Sequence, residues 1–247
     1  MQRKTSFGLI VIGDEILNAR RRDRHFEGIG NLLRERGLSL AWLRILPDDP
    51  TYLIAEFKRT MAENIPVFSC GGIGATPDDH TRECAAEAAG VSMMRHTGAV
   101  AEIEGQFGEE AYPLRIRMAD LPEGSELIPN PYNRVPGFSI NQHHFMPGFP
   151  NMAHPMAEWV LDHQYESITP EMQQAVWVKG VTETALMGLM EKLTEQFPQH
   201  KLFSLPRLGE TRYVELGYRG RSDISEPFDA LLEGLKDGGF EFEIQGE

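Results

Sequence analysis

Four residues, Val67-Phe68-Ser69-Cys70, run straight into Gly71-Gly72-Ile73-Gly74, and this junction constrains the chain more than any other stretch. The run has the length and character of a buried strand. Three glycines in the next four positions let the backbone take positive φ and come close to a ligand. Thr76-Pro77-Asp78-Asp79 follows, a hydroxyl, a proline and two carboxylates in the order that predicts a capped helix start. An alanine-rich helix should then run to Gly90. Strand, glycine loop and helix start in succession aim free N–H groups at one point, which makes a phosphate cradle. The same residues also read as an ordinary strand-to-helix turn with Thr76 and Asp79 as a capping box. Asp78 and Asp79 favour the ligand reading, because carboxylates beside an anion repel it unless a divalent cation sits between them. The expectation is a magnesium-assisted site for phosphate or pyrophosphate.

The stretches on either side supply a sheet for that junction. Phe7–Ile12 predicts a buried strand, with Gly13-Asp14-Glu15 at its C-terminal end, where open α/β sheets place ligands. Asp14 and Glu15 read equally as ligand or metal contacts and as a polar turn. Phe26, Ile29, Leu32 and Leu33 recur at helical spacing up to Gly37. A second strand is expected over Leu38–Leu46, and Asp49 before Pro50 is an N-cap for a helix with Leu53, Ile54, Phe57 and Met61 on its apolar face. Capping accounts for Asp49 and leaves Asp48 unexplained. This alternation implies a three-layer α/β/α domain around a mostly parallel sheet. Right-handed crossovers bring the loops after Ile12, Leu46 and Cys70 to one edge.

Beyond Gly90 the pattern is less regular. A weak helix is expected around Val100–Phe107, and alternating Leu114, Ile116 and Met118 predict part of a strand pair. His143-His144 invites a metal reading, but neighbours on a strand point to opposite faces and cannot readily share an ion. Pro150–Gln164 reads as a helix packing through Met152, Met156, Trp159 and Val160. Polar Tyr165–Pro170 marks a boundary between a domain of residues 1–165 and one of 166–247. The second domain reads βαββαβ, a small ferredoxin-like α+β sheet with helices on one face.

Charge and composition exclude several partners. The formal charge of −13 argues against a general affinity for nucleic acid or anionic membrane. Residues 166–247 hold 8 Lys and Arg against 15 Asp and Glu and show no GXXG clamp between helices, so RNA binding is not expected there and an interaction or dimer-building role is. Cys70 and Cys84 are the only cysteines, too few for a disulfide framework and typical of a cytoplasmic chain. Arg20, Arg21, Arg22 and Arg24 form the densest basic cluster; a solvated loop is the favoured reading and anion binding the minority one.

The stretch GGIGATPDDHT resembles the GGxGxTxxDxT signature of the molybdopterin-binding family of MoaB, Mog and gephyrin-type proteins. It is still closer to the GGxGxTxDDxT form of the CinA branch. Ile12-Gly13-Asp14-Glu15-Ile16-Leu17, Pro136-Gly137-Phe138 and Pro147-Gly148-Phe149-Pro150 are similar to that branch as well, and the four motifs stand in the expected order. Ala19 departs from the usual glycine, and Phe149 from a smaller valine. The resemblance implies a phosphorylated pterin or nucleotide ligand, with Gly13, Asp14, Glu15, Gly71, Gly72, Gly74, Thr76, Thr81, Pro147 and Gly148 around it. It also implies Asp48 and Asp79 as catalytic residues that, with Asp78, hold Mg²⁺ or another divalent cation, with K⁺ as a possible additional ion. The activity implied by the CinA branch is hydrolysis of ADP-ribose or a similar nucleotide; the Mog-type relatives imply pterin binding or adenylyl transfer, and a non-catalytic sensor is the third reading. Relatives assemble as dimers, trimers or hexamers, which implies a homo-oligomer. No nicotinamide-nucleotide amidase domain is expected.

Overall fold

A computed structural model of the chain describes residues 5–207 and 212–245, so Arg3 and Lys4, the basic residues ahead of the first strand, lie outside the described residues. The chain divides into two units, Met1–Ile168 and Thr169–Glu247.

In the first unit, β1 (Ser6–Ile12) leads into a single helical turn, α1 (Asp14–Leu17), and then α2 (His25–Glu35). β2 (Ser39–Leu46), α3 (Pro50–Ala62), β3 (Val67–Cys70) and α4 (Thr81–Ala89) follow. After β4 (Met93–Arg95) and α5 (Thr97–Phe107) come β5 (Asp120–Pro122), β6 (Glu126–Ile128), β7 (Gly137–Ile140), β8 (His143–Met146) and α6 (Pro150–Gln164). The main sheet has the order β2-β1-β3-β8-β7-β6. β2, β1, β3 and β8 are parallel, and β8-β7-β6 continue antiparallel.

Side chains alternate across this sheet as strand periodicity requires. Ile10, Ile12, Val67 and Phe145 pack with Leu53, Phe57, Cys84 and Ile103 beneath α3, α4 and α5. Leu9, Val11, Phe68 and Met146 pack with Ile29, Leu33, Met156 and Val160 beneath α2 and α6. The parallel strands are therefore covered on both faces, as their near-continuous apolar sequence demands. Asp49 caps α3 by accepting from the Thr51 amide at 2.7 Å. Gly37 and Gly90, at φ +69 and +71, take the left-handed turns that end α2 and α4.

Two sequence expectations need correction. The helix expected from Thr76-Pro77 begins only at Thr81. A capping box needs the Asp79 amide on the Thr76 hydroxyl, but that amide donates to the Thr76 carbonyl at 3.0 Å, and Asp79 Oδ2 accepts from the Thr76 amide and hydroxyl at 2.8 and 2.5 Å. The four residues close on themselves as a turn instead of opening a helix. Likewise Leu114, Ile116 and Met118 are not in a strand: Arg115–Ala119 is a 3₁₀ turn, and the local strand pair is β4 with β5. Three alternating residues are too few to separate the two periods.

His143 and His144 face opposite sides of β8. The His143 Nδ1–H donates to the Asn141 carbonyl at 3.1 Å, which leaves Nε2 to pair with the Thr60 hydroxyl at 2.8 Å. His144 pairs with the Ser139 and Tyr165 hydroxyls at 2.8 and 2.7 Å. Burial drives the two imidazoles down from 6.5 to about 4 and about 3. Both are neutral in the fold, whereas the unfolded chain protonates them below pH 6.5. Between that pH and about 4 the unfolded state takes up to two more protons, so stability should fall by up to about 2.7 kcal/mol per pH unit. Urea unfolding across this range checks the slope, and His144→Gln should roughly halve it.

The second unit is β9 (Met172–Lys179), α7 (Glu183–Gln196), β10 (Lys201–Arg207), β11 (Tyr213–Gly220), α8 (Ser225–Asp237) and β12 (Phe242–Ile244). Its sheet is antiparallel in the order β10-β11-β9-β12. Val176, Val178, Val214 and Leu216 bury one face against Leu186, Leu193, Leu231 and Leu235 of the two helices. This is the ferredoxin-like arrangement read from the sequence.

Candidate functional site

The C-terminal ends of β1, β2, β3 and β8 lie side by side, so the loops that leave them meet at one edge of the sheet. Gly71 and Gly72 sit there at φ +119 and +66. A Cβ on Gly71 would lie 2.4 Å from the Ile12 carbonyl oxygen, and one on Gly72 would lie 2.3 Å from Thr81 Oγ1. A Cβ on Gly148, from the loop after β8, would lie 3.4 Å from the Gly71 Cα. Glycine is therefore required at positions 71 and 72 by contact as well as by φ, whereas a Cβ at 148 would make an ordinary contact.

The loop is held from beneath. The Thr81 hydroxyl, fully buried, donates to the Gly71 carbonyl at 3.0 Å, and the Thr81 amide donates to the Gly72 carbonyl at 3.0 Å. Arg82, also buried, gives its guanidinium to the carbonyls of Gly74 and Asp120 at 2.9 and 3.1 Å and to that of Arg117. Thr81 thus supports the loop instead of facing a ligand, and Arg82 is a positioning residue the motif alone did not single out. None of the amides from Gly72 to Ala75 donates to an acceptor among the described residues. Four successive N–H groups are thus left as donors available to an anion.

Asp48 follows the end of β2 at the same sheet edge, and its Oδ2 accepts from the Asp14 amide at 2.9 Å. Partial burial, with the carboxylates of Asp14, Glu15 and Asp78 nearby, holds its carboxyl above the usual carboxylate range. Asp14, Glu15 and Asp78 are exposed; Asp79 is half-buried and engaged with Thr76. The Gly13 amide donates to the Leu46 carbonyl at 3.1 Å, which joins the β1 and β2 loops. Among the described residues no three His, Cys, Asp or Glu side chains are gathered closely enough to form a metal cage by themselves.

A cleft of about 630 Å³ opens at the C-terminal end of β1 and reaches the loop after β8. Of the expected ligand residues, Glu15 and Gly148 line it, and Pro147, Gly72, Gly74, Thr76, Asp48, Asp78 and Asp79 do not. Its wall is instead the loop carrying Arg20, Arg21, Arg22 and Arg24, with His25 at its base and Asn151 at the start of α6. The sequence signal was present in the arginine cluster, but only tertiary structure turns that cluster towards a cavity. Ala19 enters the loop at φ +54, a left-handed conformation that costs an L-residue roughly 1–2 kcal/mol.

Residues 8–167 match the family model described as "Probable molybdopterin binding domain". The chain belongs to this family. Within it the chain is CinA-like. It is 32% identical over 193 residues to a CinA-like protein of Geobacter sp. (strain M21), covering 74% of this chain and 46% of that one. The chain thus spans about half the length of such relatives. A protein of Aeropyrum pernix is 26% identical over 92% of this chain and 89% of its own length. The crystal structure of the protein CinA, of unknown function, from Thermoplasma acidophilum is similar at 27% identity and a TM-score of 0.58, covering 64% of this chain and 97% of that one. Among the described residues no helix is long and apolar enough to cross a membrane.

Proposed function

We propose that the first unit binds a diphosphate-bridged nucleotide at the glycine elbow and hydrolyses it with the help of a divalent cation, ADP-ribose or a similar dinucleotide being the substrate class. The observations that carry this reading are the run of free amides from Gly72 to Ala75 and an Asp48 carboxylate close enough to Asp14, Glu15 and Asp78 to feel their charge. The amides would take phosphate oxygens as acceptors. The raised Asp48 carboxyl, with Asp14, Glu15 and Asp78 around it, is excess negative charge next to an anion site, and a hard cation relieves it. The donors are oxygens, which suits Mg²⁺; that ion keeps several waters and takes one or two carboxylates plus substrate phosphates, so it needs no complete protein cage. Asp48 would hold it through Oδ1, since Oδ2 is taken by the Asp14 amide, and exposed Asp78 would hold its waters. Bound there, Mg²⁺ supplies charge neutralisation of the diphosphate and a lowered pKa for the attacking water. Asp79 keeps the turn closed through Thr76.

The family match favours a second reading, in which the same amides hold the phosphate of a pterin without hydrolysis. Incubation with ADP-ribose, FAD, NAD and ATP, with and without Mg²⁺, separates the two. Mg²⁺-dependent release of AMP is expected. Thermal stabilisation by these nucleotides or by a pterin phosphate, without turnover, would overturn the enzymatic reading.

A further inference from the structure

The cleft beside the elbow holds charge that a diphosphate on the elbow does not use. Its wall carries Arg20, Arg21, Arg22 and Arg24. The chain has 37 acidic residues against 24 basic ones, yet none of these four has a carboxylate partner among the described residues. Arg36, Arg44, Arg59, Arg95, Arg115 and Arg134 all do. Of the two carboxylates in the cleft, Asp23 is spent on the backbone, accepting from the His25 and Phe26 amides at 2.8 and 3.0 Å. Glu15 and Asp23 together carry two negative charges against the four guanidinium groups, which leaves the wall net positive.

A second observation points to a ligand. His25 lines the cleft at 4% exposure, and its Nδ1 has no hydrogen-bond partner. Its Nε2 faces the Gly148 carbonyl at 3.3 Å, and His154 meets the ring edge-on at 5.5 Å, so the imidazole is fixed from two sides. With Nε2–H donating to that carbonyl, Nδ1 is an acceptor; left unpaired, a buried polar nitrogen costs about 1–3 kcal/mol, and the hydroxyl of a monoanionic phosphomonoester is a donor that removes that cost. The start of α6, a helix of 15 residues with Asn151 in its first turn, closes the cleft with a dipole of the sign that attracts anions. Arg21 is steadied 5.8 Å over the Phe149 ring.

Elbow and cleft are not separate places. Ile12 and Gly148 lie against Gly71 and also line the cleft. We infer that the cleft is a second phosphate site, so that the ligand is a nucleotide carrying a phosphomonoester on its ribose in addition to the diphosphate. This inference rests on the diphosphate reading of the elbow. A 2′- and a 3′-phosphate present the same chemistry to the arginines.

The test compares ligands that differ by one phosphate, measured by calorimetry with Ca²⁺ in place of Mg²⁺ and with AMP release checked to be absent: 2′-phospho-ADP-ribose against ADP-ribose, and coenzyme A against dephospho-coenzyme A. The phosphorylated member of one pair should bind at least about tenfold more tightly, the pair identifying which hydroxyl carries the group. Rising salt should erode that difference. It should vanish in the exposed-loop variant Arg21→Ala/Arg22→Ala/Arg24→Ala, whose fold is checked by its melting curve. Equal affinities within both pairs while ADP-ribose binds would overturn the second site and leave the elbow reading standing. Failure of all four ligands to bind would remove the elbow reading, and the second site with it.

Discussion

An Asp48→Asn variant is expected to lose Mg²⁺-dependent turnover by about 100-fold or more while melting at a higher temperature than the parent protein at neutral pH. Asparagine keeps the shape and still accepts from the Asp14 amide, so the loop should remain in place. What it removes is a charge that the fold tolerates poorly. Burial, and then the neighbouring Asp14, Glu15 and Asp78, raise the Asp48 carboxyl in the folded state, although the Asp14 amide partly offsets them. Above that raised value the ionised carboxylate costs stability that the unfolded chain does not lose. Below the ordinary carboxylate value of 3.8 both states are protonated and the cost is gone. The melting advantage of the variant should therefore be present at neutral pH and disappear on acidification towards that value. Kinetics of AMP release together with melting curves at several pH values check both halves. Retained turnover would remove Asp48 from the chemistry, and a lower melting temperature at neutral pH would show that its charge is satisfied within the protein.

Gly71→Ala should have the largest effect on the fold of any single methyl group added at the site. Its φ of +119 strains any L-residue, and the new Cβ would meet the Ile12 backbone oxygen at 2.4 Å, in a strand paired on both sides and unable to retreat. A loss of about 3 kcal/mol or more is expected, with nucleotide binding lost as the amide surface deforms. Gly90→Ala is the internal contrast. Gly90 also has positive φ, at +71, but a Cβ there would meet nothing within 4 Å. That change should cost only about 1 kcal/mol and leave binding unaltered. Urea midpoints and ligand titration of the two variants side by side distinguish a general glycine preference from the specific requirement of the elbow.

The two variants also mark the divide between what the chain announces locally and what it does not. Strand, glycine elbow, the Asp49 cap and the closing Gly37 and Gly90 are legible because each depends on neighbours within a few positions. Pro150 starts α6 where a proline at a first helical turn should. The late start of α4 was not legible, since Asp79 could serve Thr76 in either direction and only the geometry shows which. The clamp made by Arg82 depends on carbonyls 35 and 38 residues further along, and the burial of His25 depends on a carbonyl 123 residues away. The arginine loop reads as a solvated surface for the same reason: the start of α6, which completes the cleft, is remote in sequence and adjacent only in the fold.

The claim on which the proposed function turns is that the elbow amides and Asp48 act together on one ligand. A crystal structure with Mg²⁺ and a non-hydrolysable methylene analogue of ADP-ribose tests it directly. The expected result is diphosphate oxygens about 3 Å from the amides of Gly72–Ala75, with the cation between those oxygens and the Asp48 carboxylate. A diphosphate ordered elsewhere on the chain, or seated on the amides while Asp48 touches neither the cation nor its waters, would contradict it.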